Sequence, residues 1–254
     1  MRQSFSYALL ITWVLISVSC KTYFVQESYE TKNISVSEDA GVLDSSIVNL
    51  YLPYKQLLEK DMNRVISFSN EEMVKNKPES NLTNFLADLL LEQGGIEAKN
   101  QGLDVVPVVS FFNYGGIRST LPKGNITVGN IYEIMPFENE MVYVVINGSK
   151  MQEFLDYVAE KGGDSLGGAR FKIKDNKAAN ATINGEVIKA EKSYCVVTND
   201  YVAAGGDGLN AFQNPEQLIN SGAKIRDVLI AYLEQKQKDN ETILVKPDGR
   251  ISYE

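Results

Sequence analysis

The chain has 254 residues, a formal net charge of −8, two cysteines and no histidine. An acidic chain without a basic cluster offers no electrostatic surface to nucleic acid. Without histidine it lacks the commonest general base and zinc ligand, and any Ser-His or Cys-His nucleophile pair; carboxylate-bound Mg²⁺ or Ca²⁺ stays open.

Arg2 and the apolar run from Tyr7 to Val18 read as the charged and hydrophobic parts of a secretory signal over residues 1–19. The run is too short, and too soon followed by polar sequence, for a good transmembrane helix. Small residues directly before Cys20 resemble a bacterial lipoprotein signal. That predicts cleavage before Cys20, lipid on its thiol, and an exported chain anchored to the membrane, facing the periplasm or the cell surface. An ordinary secretory signal with an incidental cysteine, or a signal anchor, is the alternative. Residues 20–46, rich in Ser, Glu, Thr and Lys, read as a tether. Residues 47–254 read as one domain, long enough for a single sizeable core. With Cys20 lipidated, Cys195 has no disulfide partner and is predicted to pack as a small apolar residue.

Ile47, Leu50, Tyr54, Leu57, Leu58, Met62 and Val65 recur at helical spacing and predict a helix over 47–69, with Pro53 marking a start or kink. Ser80 or Asn81 is placed to cap a second helix carrying Leu82, Phe85, Leu86, Leu89 and Leu90, which Gly94-Gly95 is expected to end. Val105 to Phe112, broken by Pro107, reads as a buried strand. Glycine turns follow at Tyr114–Arg118 and Leu121–Asn125, then a short segment from Thr127 to Met135, a bend at Pro136-Phe137, and a strand from Met141 to Ile146. After the turn dipeptide Asn147-Gly148, Ser149 is expected to cap a helix with Met151, Phe154, Leu155 and Val158 on one face, closed by Gly162-Gly163. Ala169, Phe171 and Ile173 alternate as in a hairpin, and Asn184-Gly185 marks a second tight turn. A strand, Tyr194 to Val197, leads into T-N-D-Y-V-A-A-G-G-D-G (Thr198 to Gly208). The last helix is predicted over 219–235, and Pro247 to Ile251 closes the domain. Strands joined by tight turns and interleaved with helices predict an α+β domain of mixed or antiparallel strands rather than a doubly wound parallel sheet.

The Thr198–Gly208 run holds a ring, Tyr201, six residues before a carboxylate, Asp207. The pair suits a ligand with a flat ring and hydroxyls. On these residues alone, a Gly-rich turn after a buried strand is the reading to prefer.

Four segments then fall in order: P-E-S-N-L-T-N-F-L-A-D (Pro78 to Asp88), F-N-Y-G-G-I-R (Phe112 to Arg118), I-Y-E-I-M-P-F (Ile131 to Phe137) and the Thr198–Gly208 run. Together they resemble the C-terminal domain of the 5'-nucleotidase and UDP-sugar hydrolase family, over residues 47–253. The resemblance implies a domain that holds the nucleotide, while a separate N-terminal domain binds two metal ions through Asp, Asn and His ligands and performs hydrolysis. No histidine is present to build that second domain. The resemblance therefore implies the substrate-binding half alone, with no cofactor in this chain and divalent metals only on a partner metallophosphoesterase.

Carried over residue by residue, the resemblance puts Asn113 on the nucleobase, Gly115 and Gly116 in the loop beside it, and Arg118 near the ribose or phosphate. It makes Phe137 and Tyr201 the two rings that sandwich the base, and Asp207 the acceptor of the ribose hydroxyls. Tyr114 stands where the family has glycine and is expected to narrow or line the pocket. Pro78, next to Lys77, stands where many members carry arginine. Thr83 replaces another common glycine, and Glu79, Asn81 and Asn84 read as caps and loop ties. These residues suit the nucleotide-binding part of a split nucleotidase. A lipid-anchored nucleoside- or nucleotide-binding protein with no enzymatic role, a hydrolase using carboxylate-bound Mg²⁺, and a degenerate interaction module are the other readings.

Overall fold

In a computed structural model the described residues are 28–33, 35 and 44–254. The expected signal, the lipidation of Cys20 and most of the expected tether lie outside them. The chain divides into two units, residues 1–48 and 49–254. The described residues up to 35 are exposed and without regular structure. Among the described residues no helix is long and apolar enough to cross a membrane.

Helix α1 (Ser45–Met62) contains Pro53 and buries none of its residues. The predicted helix over 47–69 is thus too long: it stops at Met62, and Val65–Ser69 is strand β1, antiparallel to β3 (Gly124–Thr127). Val65 continues the helical spacing, but pairing with β3 offers these residues a ladder, and such tertiary context overrides local periodicity.

Helix α2 (Asn81–Asn100) begins at a capping box, with Ser80 Oγ accepting from the Thr83 N–H and Thr83 Oγ1 accepting from the Ser80 N–H. Thr83 therefore has a capping role that a glycine could not fill. The expected stop at Gly94-Gly95 is overturned, because the helix runs on to Asn100. Gly94 serves close packing instead: a Cβ there would sit 2.8 Å from Val197 Cγ2. Its carbonyl accepts from the buried Tyr143 hydroxyl at 2.7 Å. The short helix α3 (Val128–Ile134) follows β3 directly, capped by Thr127.

The central sheet has five strands: β2 (Pro107–Phe112), β4 (Glu140–Asn147), β5 (Ser165–Gly167), β9 (Ser193–Asn199) and β10 (Gln217–Lys224), in the order β10-β4-β9-β2-β5. Only β2 and β9 run parallel; the other pairs are antiparallel. Pro107 is tolerated as the first residue of β2. Side chains alternate between two cores, as the pleat requires. Met141, Tyr143, Cys195 and Val197 pack with α2 and with α6 (Ile225–Lys238). Val142, Val144, Ile146 and Val196 pack with α4 (Gly148–Glu160) and a smaller sheet. Each fully buried Val, Ile or Leu contributes on the order of 1.5–3 kcal/mol, so the sheet is anchored from both faces. The smaller sheet orders β11 (Ile251–Tyr253), β6 (Ala169–Lys174), β7 (Lys177–Ile183) and β8 (Glu186–Val187). The α+β class of mixed and antiparallel strands is as expected.

Two more local expectations change. Asn147, not Ser149, caps α4, accepting from the Lys150 N–H at 3.0 Å. The helix predicted over 219–235 starts only at Ile225, since 217–224 forms edge strand β10 against β4. Gly222, at φ +71°, breaks any helical path there. Cys195 packs as expected: it is free and buried, and burial pushes its thiol up to about 12.

Candidate functional site

Topology brings the predicted residues to one end of the central sheet. Strands β2 and β9 are parallel neighbours, so Asn113, just past β2, and Tyr201, just past β9, emerge at the same end. Strand β4 runs antiparallel to β9, so its start, after Phe137, lies there too. Asn113, Gly115, Gly116, Arg118, Phe137, Tyr201 and Asp207, all of the expected set, line one cavity of about 350 Å³ together with Asn139. A cleft of about 390 Å³ opens at the other end of the sheet beside Lys192 and Tyr194 and holds none of these residues.

Asn113 is 6% exposed and leads into the 3₁₀ turn Tyr114–Gly116. Its Oδ1 accepts from Asn199 Nδ2 at 3.1 Å, and its Nδ2 donates to Asp207 Oδ2 at 2.6 Å. A Cβ on Gly116 would lie 2.9 Å from Asn113 Oδ1 and 3.0 Å from the Phe112 ring, so glycine lets the turn close on Asn113. Arg118 is tied by its N–H to the Ile134 carbonyl at 2.9 Å. Its Nη1 donates to the Gly115 carbonyl at 3.2 Å, and its guanidinium lies 6.0 Å from the Phe137 ring centre.

Strand β9 ends in the short helix α5 (Asp200–Ala203), capped by Asn199, whose Oδ1 accepts from the Val202 N–H at 2.8 Å. Tyr201 then stands with its ring over Gly206, where any Cβ would come within 2.4 Å of the ring. Asp207 adopts φ +56° inside the turn Gly206–Gly208. Its Oδ1 accepts from the Tyr201 hydroxyl at 2.9 Å, and its carbonyl accepts from the Tyr157 hydroxyl at 3.1 Å. Burial and the Asp207 charge push Tyr157 up to about 12, which keeps that hydroxyl a donor. Each carboxylate oxygen of Asp207 thus receives one donor. Of about four lone-pair sites on a carboxylate, two remain for a ligand.

Phe137 and Tyr201 are 50% and 49% exposed. Large half-exposed rings lining one cavity are surfaces for a flat, apolar-faced ligand. Asn139, Asn199 and Asp200 did not stand out in the sequence. Asp200 Oδ1 accepts from Asn139 Nδ2 at 2.8 Å and from the Glu140 N–H at 3.2 Å, joining the start of β4 to α5. Asn199 and Asp200 lie inside the quoted run, and Asn139 two residues past Phe137, but nothing in their spacing signals these contacts.

Tyr114 is placed differently from the expectation. It neither narrows nor lines the cavity but turns toward Lys75 and Lys77, whose ammonium groups lie 4.3 and 5.0 Å from its ring centre. Glu79, Asn81 and Asn84 are ties, as expected. Asn84 donates to Glu79 at 2.8 Å, Glu79 accepts from the Gly249 N–H at 2.6 Å, and Asn81 bonds the Val74 N–H and the Glu72 carbonyl. Behind the loop, Asp164 is 5% exposed, and burial pushes its carboxyl up to about 7.

The family model described as "5'-nucleotidase, C-terminal domain" matches residues 59–214. The chain is 26% identical to Protein UshA of Yersinia enterocolitica over 251 residues, 96% of this chain and 44% of that one. It is 24% identical to a 5'-nucleotidase of Vibrio cholerae over 254 residues, 96% of this chain and 43% of the relative. Among solved structures, a 5'-nucleotidase precursor from Thermus thermophilus superposes with a TM-score of 0.65 at 26% identity, covering 85% of this chain and 44% of that one. The chain thus spans less than half the length of these relatives.

Proposed function

The chain belongs to the 5'-nucleotidase C-terminal domain family, and from that premise we propose that its cavity holds the nucleoside part of a nucleotide for phosphoester hydrolysis on a separate metallophosphoesterase chain. The base lies between Phe137 and Tyr201, with the Asn113 amide at its edge. The ribose hydroxyls donate to the free lone pairs of Asp207, and Arg118, the one cation lining the cavity among the described residues, faces the phosphate side. One observation carries this reading: three of the four segments, Phe112–Arg118, Ile131–Phe137 and Thr198–Gly208, deliver all seven expected residues to a single cavity.

Among the described residues no three His, Cys, Asp or Glu side chains cluster as metal ligands, and the chain has no histidine. The described residues gather no such ligand set, so no step is assigned to a metal on this chain. What the domain contributes is binding and orientation, which hold a reactant near attack geometry and remove entropy from the reaction barrier. The same reading has the chain exported and anchored by lipid on Cys20.

Titration calorimetry with adenosine, uridine and their 5'-monophosphates tests the binding. Heat that saturates with at least one of them is the expected result, and no heat with any of the four removes the reading. Mononucleotide hydrolysis by a metallophosphoesterase chain from the same source, with and without this domain, tests the division of labour. Equal rates leave a binding protein and remove the split enzyme.

A further inference from the structure

The loop that carries Asn113 and Arg118 is short and glycine-rich, and its ligand groups sit at its two ends. Something has to hold its backbone in place. The groups doing so come from the segment before α2. Met73 is pinned there by reciprocal backbone bonds with Leu121, at 2.9 and 3.0 Å, and the Val74 N–H is held by Asn81 Oδ1 at 3.0 Å. From this fixed backbone Lys75 reaches the loop. Its Nζ donates to the Ile117 carbonyl at 2.5 Å and to the Tyr114 carbonyl at 3.2 Å, and it lies over the Tyr114 ring. These carbonyls belong to the first residue of the 3₁₀ turn and to the residue that closes it, directly before Arg118.

We infer that Lys75 is a positioning residue for the ligand loop, fixing Asn113 and Arg118 through the Tyr114 and Ile117 carbonyls and the Tyr114 ring. The inference rests on the cavity being the nucleoside site. An ammonium on the Ile117 carbonyl, which closes the turn, complements the partial negative charge at its C-terminal end. Over an aromatic face it gains a cation–π contact, stronger where water is partly excluded. Tyr114, in place of the family's glycine, supplies that face. Lys75 does not line the cavity, so its effect on a ligand passes through the loop. Burial and the nearby Arg118 charge lower its pKa, as expected for an ammonium enclosed beside the loop. Lys77 is different: its ammonium reaches the Lys161 carbonyl and touches the loop only at the Tyr114 ring.

Lys75→Met, Lys75→Arg and Lys77→Met, each in the full chain, test this. Adenosine and uridine titrations should show Lys75→Met weaker by about tenfold, the loss of one charge-assisted bond. Lys75→Arg should recover part of that loss, and Lys77→Met should stay within about twofold. Thermal unfolding controls for the fold. A Lys75→Met protein that melts lower yet binds as tightly as the parent overturns the inference. A parent that binds neither nucleoside removes the reading of the cavity instead. Hydrogen exchange of the 113–118 backbone without ligand then still decides the role of Lys75. Faster exchange in Lys75→Met than in Lys77→Met supports it, and equal exchange overturns it.

Discussion

Asp207→Asn is the sharpest test of the cavity, because it changes charge with almost no change in shape. In the parent, Oδ1 and Oδ2 each accept one donor, from Tyr201 and Asn113. An amide there turns one acceptor into a donor: with its nitrogen toward Asn113 two donors meet, and with its nitrogen toward Tyr201 the phenol hydroxyl has to switch from donor to acceptor. The carboxylate's two remaining lone pairs suit the two hydroxyls of a ribose; a 2'-deoxyribose presents one. A hydrogen bond to a charged group is worth about 1.5–3 kcal/mol. The site is half open, so the lower end applies, about tenfold in affinity per hydroxyl. The parent should therefore bind a ribonucleoside about tenfold more tightly than its 2'-deoxy form. Asp207→Asn should weaken the ribonucleoside by roughly 10- to 100-fold and bring the ribo-to-deoxy ratio close to one. Calorimetric titration of adenosine and 2'-deoxyadenosine, or the uridine pair, reads both quantities. If Asp207→Asn weakens both forms equally and leaves their ratio intact, Asp207 does not receive the ribose, and its place in the cavity is structural.

Tyr201→Ala should cost about 1–3 kcal/mol of nucleoside binding through the lost ring face, whereas Tyr201→Phe, which keeps the ring, should cost less than about 1 kcal/mol; equal losses in titration would mean that the hydroxyl, not the ring, does the binding. Asp164 has its folded pKa raised from 3.8 to about 7, so the native state keeps a proton that the unfolded chain has released. Stability from this group is therefore full below pH 3.8 and is lost as pH rises through 7, by at most about 4 kcal/mol. Asp164→Asn should remove that slope, so urea unfolding would show the variant gaining on the parent between about pH 4 and 8; a constant difference across that range contradicts the burial argument. Gly94→Ala puts a methyl 2.8 Å from Val197 Cγ2 and should destabilise by about 1–3 kcal/mol despite alanine's better helix propensity, as seen in a lower urea midpoint.

The seven residues that meet in the cavity are legible through the resemblance of four segments taken together. A ring six residues before a carboxylate, or an Asn-x-Gly-Gly-x-Arg loop, reads on its own as a glycine-rich turn. The local mistakes share one cause. Gly94-Gly95 reads as a helix stop because glycine favours C-termini, yet the contact that selects Gly94 is with Val197, about 100 residues further along the chain. Val65 and Ile219 continue helical spacings, but partners across a ladder, Thr127 and Tyr143, hold them in strands. Periodicity reports which face is apolar, and a strand partner decides what the backbone does with it.

The residues that hold the site in place were illegible for a stronger reason. Asn199 and Asp200 lie in plain view in the quoted run, and each also has an ordinary local role, as a helix cap and a first-turn acid. Their second contacts, Asn199 to Asn113 and Asp200 to Asn139, exist only because β2 and β4 flank β9. A short polar side chain at a strand end can serve both purposes at once, and the local one hides the other. The Tyr114 loop follows the same logic. Read as a sequence, a bulky residue in a glycine loop threatens the pocket; in the fold it turns outward, because Lys75 and Lys77 give its ring a cationic face to meet. The ring is met there by residues about 40 positions upstream, while Asn113, Gly115, Gly116 and Arg118 of the same loop line the cavity.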